Sequence, residues 1–270
     1  MTTTTTDRVA PATPGVRRRG LVRDTGIVML RELRPVLHDP FSLLFGMIQP
    51  LVFLALFGPL LAGSVGGTLG TDVWQWFVPA ILVMTTLFGT SITGSNLLFE
   101  FQTGAHERML VTPLARSSLL VGRALKEMVP LAGQALVILL VMLPFGYRPD
   151  LAGALVGLAL LAVFGVGLGS LSYALAVAVR RQDWMFWAVQ QTLLFPLLIL
   201  SGMLLPLDDG PGWMQAVARF NPLAHVVDAE RALFAGEFGA SAVLWGWVAA
   251  LGTAAVGLAV GVRVMLRSAD

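Results

Sequence analysis

Six long apolar stretches constrain the fold of this chain more than any other feature of its sequence. A helix needs about 20 apolar residues to cross a bilayer core of about 30 Å, and each stretch reaches that length. Hydrophobic residues make up 56% of the chain and charged residues only 13%, which lies far outside the range of soluble globular domains. The sequence therefore predicts an all-α integral membrane protein with transmembrane helices near residues 41–62, 76–98, 118–143, 151–179, 184–205 and 241–263.

The distribution of basic residues predicts the orientation of the chain. If the chain crosses the membrane six times, fifteen of its eighteen Lys and Arg residues lie on the side that holds both termini. Loops rich in Lys and Arg tend to stay in the cytoplasm, so we expect cytoplasmic termini. Seventeen arginines against one lysine suit a GC-rich bacterial genome, and the expected location is the bacterial plasma membrane.

The region before the first apolar stretch divides into two parts. Residues 1–20 are expected to be a disordered cytoplasmic tail, because they are rich in Thr, Pro and Ala and have little to bury. Residues 21–39 are predicted to form an amphipathic helix lying in the membrane interface. The alternative is an irregular charged linker. Residues 40–270 then form the six-span membrane domain.

The segment from residue 206 to residue 240 is too long for a turn and too polar to cross the membrane. Apolar residues recur in it at helical spacing, and Asn221-Pro222 interrupts the pattern. We interpret it as two short external helices that re-enter the outer leaflet, which requires protein neighbours for their backbone groups. An amphipathic helix lying flat on the outer surface is the alternative.

Several classes of function lack their motifs. The only lysine, Lys126, lies in no phosphate-binding glycine loop, so this chain is not expected to hydrolyse a nucleotide. There is no cysteine, and His38, His106 and His225 are predicted to lie on two sides of the membrane, which excludes a shared metal site. A net charge of +2 gives no sign of a nucleic-acid partner. We expect no catalytic residue, no metal and no cofactor on this chain.

The apolar cores of the six stretches contain no Asp, Glu, Lys, Arg or His, and Glu100, Arg123, Lys126 and Glu127 lie near the ends predicted to face the cytoplasm. Carriers driven by protons or sodium usually keep ionisable groups at this depth, so the energy for transport would have to come from another chain. The uncharged polar residues that remain could line a pathway for an amphipathic cargo, or they could form hydrogen bonds between helices. The candidates for the pathway are Gln49, Thr86, Thr90, Asn96, Gln190 and Gln191.

Small residues recur at intervals of four within the spans. These pairs are expected to allow close packing of helices, and Gly165-Val-Gly-Leu-Gly169 is expected to pack rather than to bind a nucleotide, since no strand precedes it. The pairs are Gly153/Gly157, Gly165/Gly169 and Gly257/Gly261.

A polar segment between the second and third stretches, Gly104 to Arg116, is predicted to be a short cytoplasmic helix with a break at Pro113. A helix joined rigidly to two spans can transmit the movement of a partner, so this segment is a candidate docking element. The alternative is an ordinary solvated loop.

Three motifs resemble type 2 permeases of ATP-binding-cassette (ABC) exporters, in the branch of the daunorubicin-resistance and nodulation exporters. They are His38-Asp-Pro-Phe-Ser-Leu-Leu-Phe-Gly-Met-Ile-Gln-Pro50, Glu107-Arg-Met-Leu-Val-Thr-Pro-Leu-Ala-Arg116 and Phe220-Asn-Pro-Leu-Ala-His-Val-Val-Asp-Ala-Glu-Arg231. One departure is Gln102-Thr-Gly-Ala-His106, where the family often has a Glu-rich sequence.

The resemblance implies two permease copies in the membrane with two separate ATPase subunits, which bind the ATP and Mg. It also implies an amphipathic cargo, membrane lipids as neighbours, and an external motif that includes Asn221, Pro222, Asp228 and Arg231. Residues expected to dock the ATPase are His106, Glu107, Arg108, Met109, Leu110, Thr112, Pro113 and Arg116.

Three functions follow from the sequence. The first is the permease of a drug or antibiotic exporter. The second is the same architecture exporting a lipid or a lipid-linked cell-wall glycan, and the third is a membrane scaffold that transports nothing. Association with a nucleotide-hydrolysing ATPase would separate the first two from the third.

Overall fold

The computed structural model describes residues 21–38, 40–64, 73–103, 116–180, 182–207 and 210–267. These residues contain helices and no strand, as the sequence predicts. The helices are α1 (Leu21–Leu37), α2 (Pro40–Ser64), α3 (Val73–Gln102), α4 (Arg116–Lys126), α5 (Met128–Met142), α6 (Leu151–Ala178), α7 (Asp183–Ile199), α8 (Gly212–Ala218), α9 (Pro222–Phe234) and α10 (Ser241–Arg267).

Five candidate membrane spans occur among these residues, by length and composition. They are Gly46–Gly63, Val73–Gln102, Val121–Phe145, Leu151–Ala178 and Ser241–Val264. The fifth predicted span corresponds to α7, which has 17 residues and a length of about 26 Å. That is slightly short for a bilayer core of about 30 Å. The chain is a multi-pass membrane protein, and its sixth crossing stays a prediction.

The predicted third span consists of two helices. α4 ends at Lys126, Glu127 forms a turn, and α5 begins at Met128. Pro130 explains this break, because a proline has no N–H to donate and its ring clashes with the carbonyl four residues earlier. That carbonyl belongs to Lys126, the last residue of α4.

Helix α6 lies at the centre of the bundle and packs against α10, α3 and α9. One close approach of α6 to a neighbour is at Gly167. A Cβ built on Gly257 of α10 would lie 2.2 Å from the carbonyl oxygen of Gly167. Glycine is therefore required at this crossing, where the pattern of small residues identified Gly257 on α10 but pointed to Gly165 and Gly169 rather than Gly167 on α6. A Cβ on Gly169 would have nothing within 4 Å.

Contacts define two ends of the bundle. We call the end with Glu100, Arg123 and Arg267 the inner end, and the end with Trp76, Asp150 and Arg231 the outer end. α7 joins them, since Gln102 donates a hydrogen bond to Asp183 at its start and Asn221 donates to the Leu197 carbonyl near its end, at 2.8 Å.

Helix α1 packs along α4 at the inner end. A Cβ on Gly122 would lie 2.8 Å from Cβ of Val28, which is buried, so a side chain at Gly122 would separate the two helices. The predicted helix at residues 21–39 is present as Leu21–Leu37. Its location in a membrane interface stays a prediction.

Candidate functional site

Charged residues from three helices and from the turn at Glu127 meet at the inner end, and we call them the inner ionic cluster: Glu32, Glu100, Arg123, Lys126 and Glu127. A guanidinium nitrogen (Nη2) of Arg123 lies 2.5 Å from Oε2 of Glu100 and 3.8 Å from Oε1 of Glu32. The ammonium of Lys126 lies 3.8 Å from Oε2 of Glu32 and 3.6 Å from Oε1 of Glu127. A fourth helix, α6, contacts the cluster through Tyr173, whose ring centroid lies 6.0 Å from Cζ of Arg123.

Arg123 is the buried cation of this cluster. The Arg123 side chain is 1% exposed, and the side chain of its partner Glu100 is 23% exposed. A buried cation is tolerated only with paired anions close by, so the two carboxylates fix Arg123 in place. The sequence placed Glu100, Arg123, Lys126 and Glu127 near one end of the spans. It missed Glu32, although Glu32 lies one helical turn after Val28, on the face of α1 that meets α4.

Residues of the inner ionic cluster lie in the described helices on both sides of the predicted docking segment. Glu100 lies close to the C-terminal end of α3, and Arg123 lies in α4, the next described helix. Seven of the predicted docking residues lie outside the described residues: His106, Glu107, Arg108, Met109, Leu110, Thr112 and Pro113. Arg116 is the first residue of α4. The segment therefore connects α3 to α4, two helices that the Glu100–Arg123 ion pair joins.

A cavity of about 600 Å³ opens between α2, α3 and α7, and we call it the lateral cavity. Three glutamines, Gln49, Gln190 and Gln191, contribute polar groups to its wall. Gln190 is buried, and its Oε1 has no hydrogen-bond partner among the described residues. The rest of the wall is mostly apolar and includes Phe53, Phe88, Ile92, Trp187, Leu194, Phe195, Leu198, Ile199 and Leu204.

A cavity of this size with few polar groups suits an amphipathic molecule. A second cavity of about 300 Å³ lies beside it, between α3, α6 and α7, and shares Gln190 and Ser91 with it. Ser172 also lines the second cavity and donates a hydrogen bond of 3.2 Å to the Ser91 carbonyl oxygen. Both serines are among the uncharged polar residues of the predicted spans, although neither is one of the six named pathway candidates.

The structure separates the six candidate pathway residues. Gln49, Gln190 and Gln191 share the lateral cavity, and Thr90 lines the second one. Thr86 lines a third cavity of about 150 Å³, and Asn96 is exposed. The hydroxyl groups of both threonines donate to carbonyl oxygens of their own helix, so these bonds are not the hydrogen bonds between helices that the sequence offered as the alternative.

The predicted external motif fixes α9 at the outer end. Asn221 is the N-cap of α9, and its Oδ1 accepts a hydrogen bond from Leu223 N at 3.0 Å. Pro222 follows as the first residue of the helix, where a missing N–H costs nothing. α8 and α9 are thus two short helices separated at Asn221, as the sequence predicts; their depth in a membrane stays a prediction.

Arg231 links α9 to two other elements of the outer end. Its Nε donates to the Trp76 carbonyl at 3.1 Å and its Nη2 to the Gly202 carbonyl at 2.9 Å. Its guanidinium carbon lies 3.9 Å from the Trp76 ring centroid, within cation–π range. Burial lowers the pKa of Arg231 to about 10, although Asp228 acts in the opposite direction. Arg231 therefore stays charged at neutral pH.

Glu230 is a further ionisable group at the outer end that sequence reasoning did not select. Its side chain is fully buried, and burial raises its pKa well above the usual value. Glu230 belongs to a segment whose many charges indicated exposure. A helical projection of α9 gives the signal that was available, because Glu230 lies among Val226, Val227, Leu233 and Phe234.

Fold and site together define a helical membrane protein with an ionic cluster at its inner end and a mostly apolar cavity between its helices. The model of the ABC-2 type transporter family matches residues 23–235, and the chain belongs to this family. It is thus a transmembrane subunit of the ABC transporter type, as the three motifs indicated.

Similar proteins agree with this membership. The chain is 26% identical to the daunorubicin resistance ABC transporter permease protein DrrB1 of Streptomyces coeruleorubidus, over 77% of this chain and 74% of that protein. It is 32% identical to the putative transport permease ycf38 of Cyanophora paradoxa, over 79% and 74%. It is 28% identical to nodulation protein J of Rhizobium leguminosarum bv. viciae, over 73% and 76%.

Proposed function

We propose that this chain is the permease of an ABC exporter that moves an amphipathic, drug-like or lipid-like molecule out of the cytoplasm or inner leaflet. Two copies of the chain would work with two copies of a separate ATPase. The observation that carries the proposal is the lateral cavity. Its volume of about 600 Å³ lies within the range of pockets that hold drug-sized ligands, and its wall combines aromatic rings with three glutamines.

The chemistry of the wall supports an amphipathic cargo. Phe53, Phe88 and Trp187 offer apolar contact to rings or acyl chains, and the glutamine amides offer donors and acceptors without charge. A small inorganic ion would find no opposite charge there. The inner ionic cluster supports the coupling half of the proposal, because it joins α3 and α4, the helices on either side of residues 104–115, to each other and to α1.

Co-purification tests the coupling half. The chain is expressed with a candidate P-loop ATPase subunit from the same genome, and Glu107 and Arg108 are both replaced by alanine. We expect ATPase association to fall while the permease stays monodisperse in detergent. The matched control is Arg148→Ala with Glu237→Ala, which removes one exposed charge of each sign at the outer end. Unchanged association of the Glu107/Arg108 variant would reject this docking assignment.

A ligand screen tests the cargo. In proteoliposomes, amphipathic compounds and lipids that stimulate ATP hydrolysis are identified, and Gln49→Leu with Gln191→Leu is then compared with the parent. We expect the half-maximal concentration of the stimulating compound to rise at least several-fold. Gln182→Leu is the control, because Gln182 is exposed and lies outside the lateral cavity. Stimulation by lipid-linked glycans alone would favour the second function, and no ATPase association at all would favour the scaffold.

A further inference from the structure

The buried face of α9 carries an ionisable side chain, Glu230, at the outer end. Glu230 is fully buried, and neither of its carboxylate oxygens has a hydrogen-bond partner among the described residues. Glu230 faces α6 so closely that a Cβ built on Gly157 would lie 2.4 Å from Oε2 of Glu230. An ionised carboxylate in these surroundings would lose its hydration without any compensating contact.

The elements packed against α9 offer no cation to Glu230. The described part of α10 at the outer end, residues 241–250, contains no titratable side chain, and neither does the outer part of α3, residues 73–87. At the start of α6, the Asp150 side chain accepts a hydrogen bond from Gly153 N at 2.7 Å. Just before it, the Tyr147 hydroxyl is buried and also has no hydrogen-bond partner among the described residues.

The other titratable groups of α9 are engaged elsewhere. Arg231 donates to the Trp76 and Gly202 carbonyls and pairs with Asp228, which is exposed. A ring nitrogen of His225 lies 2.9 Å from the Arg219 carbonyl oxygen. None of these groups compensates a negative charge on Glu230.

We propose that Glu230 is a proton-binding site: α9 packs against α6 with Glu230 protonated, and the proton is released to the outer solution when α9 separates from α6. The balance is one proton per chain, which leaves the carboxyl oxygen on separation and returns on closure. That such a separation opens an exit for cargo rests on the proposed export function. The bound proton does not depend on it.

The direction of the pH dependence follows from burial. A buried carboxyl with a raised pKa favours the packed state most at acidic pH, and this preference is lost as the pH rises through that pKa. A carboxyl in water has a pKa of about 4.3. Between these two pKa values, each unit of pH shifts the ratio of packed to separated α9 by up to about tenfold. Alkaline solution at the outer end therefore promotes separation.

Infrared difference spectroscopy tests the bound proton on the permease alone, in lipid nanodiscs at neutral pH. We expect the carbonyl stretch of a protonated carboxylic acid in the parent and its loss in Glu230→Gln, which keeps the size of the side chain and carries no charge. Glu237→Gln, at an exposed position, should retain the band. A parent spectrum without this band would overturn the proposal. This result is independent of any ATPase, so it is distinguishable from a failure of the proposed function.

Thiol labelling tests the link between the proton and the packing of α9, since the chain has no native cysteine. Leu233→Cys reports on a position that is fully buried, and Phe238→Cys on one that is 47% exposed. A membrane-impermeant thiol reagent is added at the outer side. The labelling rate of the Leu233→Cys variant is divided by that of the Phe238→Cys variant, which removes the intrinsic effect of pH on thiols. We expect this ratio to rise between about pH 6 and pH 8 and to be flat with Glu230→Gln. A flat ratio with Glu230 present would overturn the proposal.

Discussion

The crossing of α6 and α10 gives the most quantitative prediction. A Cβ on Gly257 would lie 2.2 Å from the carbonyl oxygen and 2.9 Å from the carbonyl carbon of Gly167. Both atoms belong to a helical backbone, so no side-chain rotation can relieve the clash. Gly257→Ala must therefore move the two helices apart along their shared interface.

Gly252→Ala on the same helix is the matched control, because a Cβ at Gly252 would have nothing within 4 Å. Alanine in place of glycine stabilises a helix by roughly 0.5–1 kcal/mol, and this gain applies to both variants. Overpacking of a close contact costs about 1–3 kcal/mol. The propensity terms cancel in the comparison, so Gly257→Ala should be less stable than Gly252→Ala by about 1–3 kcal/mol. The backbone clash favours the upper part of this range.

Unfolding in mixed micelles by SDS, followed by tryptophan fluorescence, measures this difference, since the chain has seven tryptophans. Gly167→Ala should lower the free energy of unfolding as well, because its Cβ would lie 2.6 Å from Ala254 N. Combining Gly167→Ala with Gly257→Ala should cost less than the sum of the single effects, since the helices are already apart. Equal stability of Gly257→Ala and Gly252→Ala would refute the packing argument.

Three further predictions use the same unfolding assay. Arg231→Lys should lower the free energy of unfolding by about 2 kcal/mol, because lysine lacks the planar fork with which Nε and Nη2 of arginine bond two separate carbonyls. The exposed Arg219→Lys should have little effect, and equal losses would contradict this reasoning. Asn221→Ala should lower the free energy of unfolding by about 1 kcal/mol, because the N-cap hydrogen bond is lost, and it should speed amide hydrogen exchange in the first turn of α9. Unchanged exchange rates would argue against the cap. Arg123→Gln should lower the free energy of unfolding by up to about 3 kcal/mol, since Glu100 loses its cation. Adding Glu100→Gln to this variant should restore part of the lost stability. No such rescue would show that the pair is unimportant.

Hydropathy predicted most of the fold, for a physical reason. Backbone groups in a bilayer have no water to bond with, so long apolar stretches must be helical, and α2, α3, α6 and α10 lie close to the predicted ranges. The break after Lys126 was not predicted from hydropathy, because Pro130 is itself apolar and leaves the average unchanged. Local chemistry of proline, rather than composition, determines where the third stretch divides.

The sites were less predictable because they depend on contacts between distant parts of the chain. Gln190 and Gln191 meet Gln49 at one cavity only through the packing of α7 beside α2 and α3. Ser172 reaches the Ser91 carbonyl across 81 positions of sequence, and no local pattern announces such a contact. Glu230 is a different case, because a local pattern was available. A charged residue in a polar segment suggests exposure, but the apolar residues on the same face of α9 indicate that Glu230 is buried.

Helix α3 connects the two ends of the bundle and explains how they could act together. It has 30 residues and a length of about 45 Å, which exceeds a bilayer core of about 30 Å. At the inner end Glu100 pairs with Arg123, beside the segment proposed to dock the ATPase, and at the outer end Trp76 holds Arg231 of α9. Because both attachments involve a buried or partly buried arginine, displacing either end of α3 breaks charged contacts. A displacement of residues 104–115 would therefore be transmitted to α9 through one continuous helix, which also lines the lateral cavity.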